Sequence, residues 1–195
     1  MPVFSFLVFI VITSFTPGPN NFMAMVFAKQ YGLAKTIPFC IGVGIGFFMI
    51  IGLSSFFNMV MLNILPVIEL PLTIFGVGYM LYLAYKILTS KEQQDSDKEE
   101  EKRNLFFVGA IVQFINPKGI LFGITVVATY ILPYYSSYIS YLLFSLFLAL
   151  VGVISTFSWA LCGSVFQKVL QQYRQLFNII MALLLVYSAF SIVVH

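Results

Sequence analysis

The sequence predicts an all-α integral membrane protein, with six transmembrane helices forming two inverted three-helix repeats and the first and fourth helices broken near the midplane. Three observations carry this expectation. Residues of the AVILMFWYC set make up 61% of the chain and charged residues only 9%, against about 45–50% and about 25% in soluble domains. Two apolar runs are interrupted in their middle by proline-glycine motifs. Basic residues fall on alternate connections only. At about 20 residues per span, a chain of 195 residues holds six spans with short connections and little else, so residues 1–195 read as a single transmembrane domain.

The first apolar run covers residues 3–28. No Lys or Arg precedes Lys29 and no small-residue cleavage site follows, so the run reads as a retained helix rather than a signal peptide. Its middle holds Thr16-Pro17-Gly18-Pro19-Asn20-Asn21. Two prolines and a glycine cannot continue a helix, and the backbone groups they free find no water in hydrocarbon. Such a break is tolerated only where it is buried in protein or lines a wet cavity. The second run, 37–65, carries Gly42 and Gly46, and the third, 70–88, carries Gly76 and Gly78. Small residues at such spacing let helix backbones approach, a packing role that we expect of all four. Pro66 and Pro71 are expected to bracket the connection between these two runs.

Residues 89–104 are strongly charged, cannot bury apolar area and read as a mobile cytoplasmic loop between the two repeats. The fourth run, 105–129, is interrupted at Asn116-Pro117-Lys118-Gly119. The fifth, 137–163, follows Leu132-Pro133-Tyr134-Tyr135, whose tyrosines fit an interfacial aromatic belt. It contains Trp159. The sixth run covers 176–194.

Nine of the ten basic residues lie in connections one, three and five or at their edges, and the tenth, Lys118, lies within a span. By the positive-inside rule those connections are cytoplasmic and both termini are not, which requires an even number of spans. The two halves then enter the membrane from opposite sides, so a shared fold makes them inverted repeats. Paired interruptions at corresponding places in two halves point to a transporter's binding site. In each half the helix restarts behind a proline, with Asn116 a plausible N-cap for Pro117. Half-helix N-termini present free N–H groups and partial positive charge, so two of them meeting near the midplane form an anion-favouring pocket.

The candidate substrate-binding residues are therefore Thr16, Pro17, Gly18, Pro19, Asn20, Asn21, Asn116, Pro117, Lys118 and Trp159. Lys118 is the sole charge in the interior of any predicted span, which makes it a candidate for carboxylate binding or proton coupling. The alternative is that it ties down carbonyls of the broken first helix. The asparagines carry the same two readings, ligand contact or satisfaction of stray backbone groups. Trp159 either packs over a substrate ammonium or is a core aromatic.

Intramembrane enzymatic chemistry finds no residues to use, because the predicted spans contain no Asp or Glu and the one histidine is His195. No metal, cofactor or nucleic-acid partner is expected. The glycine runs lack the strand-to-helix context of a phosphate loop. Cys40 and Cys162 sit in different spans and read as small apolar residues rather than a thiol relay. A channel-like conduit and a thiol redox carrier stay open as alternatives. The spans offer no carboxylate to pair with a dibasic substrate's side chain, so a small zwitterion fits better.

The motif 16–21 with Gly32, Gly42 and Gly46, followed by Asn116-Pro117-Lys118, resembles the lysine exporter superfamily, which includes homoserine and threonine exporters. Gly76 through Ile87, Ser158 through Gly163 and Asn178 through Tyr187 are similar to its branch of cysteine and O-acetylserine exporters. The resemblance implies export of a small amino acid across the inner (plasma) membrane, proton antiport as the usual coupling, the lipid bilayer as surroundings and a possible homo-oligomer.

Overall fold

The computed structural model describes residues 1–89, 104–165 and 174–194, and all regular structure among them is helical. Most of the predicted loop 89–104, Lys168 and the C-terminal His195 lie outside the described residues.

Proline placement sets the first helix boundaries. Helix α1 (Val3–Phe15) ends before Thr16 and α2 (Pro19–Tyr31) starts with Pro19 at its first position, where a missing N–H costs nothing. The two axes differ by 48°. Gly32 then reverses the chain within one residue at φ 85°, a left-handed backbone that a side chain disfavours, and α3 (Leu33–Phe56) begins at once.

The connection expected at Pro66 and Pro71 is not where the structure places it. Helix α4 (Asn58–Thr89) runs unbroken through both prolines and meets α3 at Phe57. In a long helix each proline removes a single i→i−4 bond, which a continuing ladder on either side survives. Glu69 consequently lies within a helix and not in a connection.

The second half repeats the local pattern of the first. Helix α5 (Leu105–Ile115) stops before Asn116, and α6 (Pro117–Val126) restarts behind Pro117 and runs into one π-helical turn, Val127–Ile131. This pair bends by 66°. Helices α7 (Tyr138–Val165) and α8 (Arg174–Val194) follow.

Among the described residues two helices, Leu33–Phe56 and Tyr138–Val165, are long and apolar enough to cross a membrane, and up to four if each bent pair is one span. Thr73–Thr89 and Gln175–Phe190 add shorter apolar helices. Large apolar side chains face outward in number, Phe4 at 81% and Phe75 at 78% exposure among them. A surface of that kind suits hydrocarbon rather than water.

Helix α3 is the centre of the molecule and packs on α5 and α7, while α2 packs on α7 and α4 on α8. Glycines set the α3–α5 separation. A Cβ on Gly42 would strike the Phe106 carbonyl, one on Gly109 the Phe39 carbonyl, and one on Gly46 would stand 2.9 Å from the Ala110 carbonyl oxygen. Gly76 faces the Pro117 ring, so α4 touches the second break directly. Gly78 corrects the expectation placed on it. It has open space where a Cβ would stand, because residues two apart on a helix point to opposite faces and only one of the pair can meet α6.

Candidate functional site

The break between α1 and α2 frees a run of backbone carbonyls, and side chains take up each one from Thr13 to Pro17. Thr16 donates its hydroxyl to the Thr13 oxygen at 3.0 Å. The Ser14 oxygen accepts from Asn21 Nδ2 at 2.9 Å and from Ser155 Oγ at 2.7 Å. The Phe15 oxygen accepts from the Trp159 indole N–H at 3.2 Å. Asn21 Nδ2 also reaches the Thr16 oxygen at 3.1 Å. Lys118 donates to the Thr16 oxygen at 3.1 Å, to the Thr16 hydroxyl at 2.8 Å and to the Pro17 oxygen at 3.1 Å. Ser188 completes the set by donating to the Pro17 oxygen at 2.9 Å. Donors from α2, α6, α7 and α8 thus converge on five residues, which is how a non-helical stretch is kept inside an apolar bundle.

Lys118 has three N–H donors and three acceptors within reach, all belonging to the first break. Gly18 makes room for its stem, since a Cβ there would lie 3.1 Å from Lys118 Cδ. The geometry is that of a tie between the second half-helix and the first break.

The two restarted helices are uncapped. Gly18 and Asn116 occupy the N-cap positions of α2 and α6, and neither makes a side-chain cap hydrogen bond. Asn116 is extended, and its carbonyl accepts from the Ile120 N–H at 3.0 Å, so its backbone starts α6 while its side chain is left for other work. The N–H groups of the first turns, on Asn20 and Asn21 in α2 and on Lys118 and Gly119 in α6, have no intrahelical partner by construction.

Between these ends lies a cavity of about 60 Å³. Gly18, Asn20, Asn21, Asn116 and Lys118 all line it, together with Gln113, Ser155 and Thr156, while Phe47 and Phe122 close one side with stacked rings 5.3 Å apart. Asn20 donates to Gln113 Oε1 across the two halves of the chain. Among the described residues the Oδ1 atoms of Asn20 and Asn116 have no hydrogen-bond partner, although the two residues are only 8% and 5% exposed.

Not every expected residue is at this cavity. Thr16 and Pro17 do not line it and instead bond Lys118, and Pro19 and Pro117 are buried as helix starts. Trp159 does not line it. Its indole is bonded to Phe15, and its ring packs in a separate cluster with Phe22, Met181 and Leu185. Gln113, Thr156 and Ser188 are the residues that sequence reasoning missed. Gln113 carried a readable signal, a lone amide in an apolar run one helical turn before the Asn116 interruption; Ser188 and Thr156 carried none, since a hydroxyl in a span is commonplace.

A second cavity of about 400 Å³ lies between α2, α4 and α8, lined by Phe22, Met25, Tyr79, Leu83, Lys29 and Lys86 among others. It is larger, but no residue of either break lines it.

Comparison with known proteins gives this geometry a family. The family model described as "LysE type translocator" matches residues 11–195. The chain belongs to the LysE family of translocators. It is 37% identical over 188 residues to a protein of Salmonella paratyphi A named cysteine/O-acetylserine efflux protein, covering 96% of this chain and 95% of that one. A protein of the same name in Escherichia coli K12 is 34% identical over 188 residues with the same coverage. No solved structure matches significantly. As a member of the LysE family the chain is a multi-pass membrane transporter and not an enzyme.

Proposed function

We propose that this translocator exports small neutral amino acids of the cysteine or O-acetylserine type across the inner membrane, as a secondary transporter driven by proton antiport. Homoserine or threonine is the alternative substrate class. The observation that carries the reading is the polar cavity between two uncapped half-helix N-termini, built from motifs about one hundred residues apart and joined by Lys118. Such ends favour a carboxylate, and such a cavity between repeats is where alternating access places a substrate.

The same reading assigns six spans: α1 with α2, α3, α4, α5 with α6 and the π turn, α7, and α8. Two inverted repeats are supported by the like construction of the two breaks and by the pairing of α3 with α7 and of α4 with α8, which a two-fold axis between halves would produce. Both termini face away from the cytoplasm in this arrangement. Lys118 is the proposed point of proton coupling, because losing its proton would leave two N–H donors for the three acceptors of Thr16 and Pro17 and slacken the tie between the halves.

The test is counterflow in proteoliposomes preloaded with O-acetyl-L-serine, L-cysteine, L-homoserine or L-threonine. Accumulation of label against preloaded O-acetylserine or cysteine, saturable and faster under an imposed pH gradient, is the expected result. Flux that neither saturates nor exchanges identifies a conduit instead and overturns the proposal.

A further inference from the structure

An α-amino acid brings an ammonium group as well as a carboxylate, and three buried N–H donors need acceptors once water is excluded. The sequence singles out three kinds of acceptor near the site: the carbonyls of the first break, the face of Trp159, and amide oxygens of asparagines. The structure removes the first two. The carbonyls of Thr13 through Pro17 already hold side-chain donors, and Trp159 is bonded to Phe15 away from the cavity. Left over are Asn20 Oδ1 and Asn116 Oδ1, which belong to residues more than nine-tenths buried that both line one cavity, and which have no partner among the described residues. Buried polar atoms are rarely left so without a reason.

We infer that Asn20 Oδ1 and Asn116 Oδ1 form the subsite for the α-ammonium group of the substrate, an assignment that rests on reading this cavity as the transport site. Lys118 is not the carboxylate anchor, because its three donors point at Thr16 and Pro17. The carboxylate instead meets the free N–H groups at the starts of α2 and α6. One amide comes from each break, so a bound ammonium bridges the two halves of the chain. Neutral acceptors suit a carrier, since releasing the cation leaves no buried unpaired anion behind. A cavity of about 60 Å³ holds a few waters or the ammonium end of an amino acid, so the remainder of the substrate enters by displacing the Phe47 and Phe122 rings.

The subsite predicts a specificity: amino acids bind, and the same molecules without the amino group bind worse. In proteoliposomes of the full chain exchanging labelled O-acetyl-L-serine, L-cysteine is compared as a competitor with β-mercaptopropionate, which lacks the amino group. The wild type is expected to favour cysteine by about tenfold or more, the scale of hydrogen bonds to a charged group. Asn20→Ala and Asn116→Ala should bring this preference close to one while changing the β-mercaptopropionate value less than about twofold. Asn116→Asp keeps the oxygen and loses the amide donors, so it should keep the preference, which a merely structural amide would not. Alanine variants that still favour cysteine like the wild type overturn the assignment, as does Asn116→Asp losing both competitors alike. If the wild type exchanges no amino acid at all, the exporter reading fails together with it, whereas exchange with unchanged discrimination sinks the amide subsite alone.

Discussion

The Lys118 ammonium lies 3.1 Å from the Pro17 carbonyl oxygen, so the one cation of the α6 half-helix closes a backbone gap in the chain's first apolar run. Two interruptions far apart in sequence are in this way one structural unit, and disturbing either is expected to reach the other.

Replacing the lysine tests this link directly. Lys118→Gln keeps at most part of the bonding to Thr16 and Pro17, and losing charged hydrogen bonds of this kind costs about 1.5–3 kcal/mol apiece. We expect pH-driven export in everted vesicles to fall at least about tenfold, with a lower melting temperature in detergent. Lys118→Arg retains charge and donors but must pass its wider head beside Gly18, so partial transport is expected. Wild-type export by the glutamine variant under a pH gradient excludes both the tie and the proton-coupling role.

Healing the first break should separate insertion from transport. With Pro17, Gly18 and Pro19 all replaced by alanine, a continuous helix becomes favourable, by about 3 kcal/mol per proline removed from an interior position. Membrane levels should stay near wild type while export is lost, measured by immunoblot and vesicle flux on the same preparation. Normal flux would reduce the 48° bend to a tolerated kink.

A pair of glycines offers a control for packing. Gly42→Ala sets a methyl group against the Phe106 backbone, which cannot retreat as a flexible side chain can, and overpacking of this sort costs about 1–3 kcal/mol. Gly78→Ala meets nothing, and removing a helical glycine stabilises by about 0.5–1 kcal/mol. Thermal unfolding in detergent should therefore move in opposite directions for the two. Equal shifts would mean that the α3–α5 contact is looser than drawn here.

Topology is checked by reporter fusions. The basic residues predict a cytoplasmic 89–104 segment and an external C-terminus. Alkaline phosphatase joined after His195 should be active, and inserted at Gln94 it should be inactive. The reverse pattern would invert the proposed direction of both repeats.

Much of this protein was legible one residue at a time. Composition alone establishes that the surroundings are hydrocarbon, and proline's fixed φ and missing N–H mark the starts of α2 and α6 wherever the rest of the chain goes, because these are properties of single residues and their nearest neighbours. The same local logic misplaced the second connection: Pro66 and Pro71 sit inside α4, where hydrogen bonds on either side carry the helix across them. What only the tertiary structure decided is which polar groups are spent and which are free. Lys118 and Trp159 each carried two readings, substrate contact or structural partner, and in the folded chain their donors lie against carbonyls of residues 15–17, more than one hundred positions away. Asn20 and Asn116, equally ambiguous as letters, both line one cavity and carry oxygens with no partner among the described residues. Whether a buried donor or acceptor has a partner is a property of the whole packed bundle, and no local spacing encodes it.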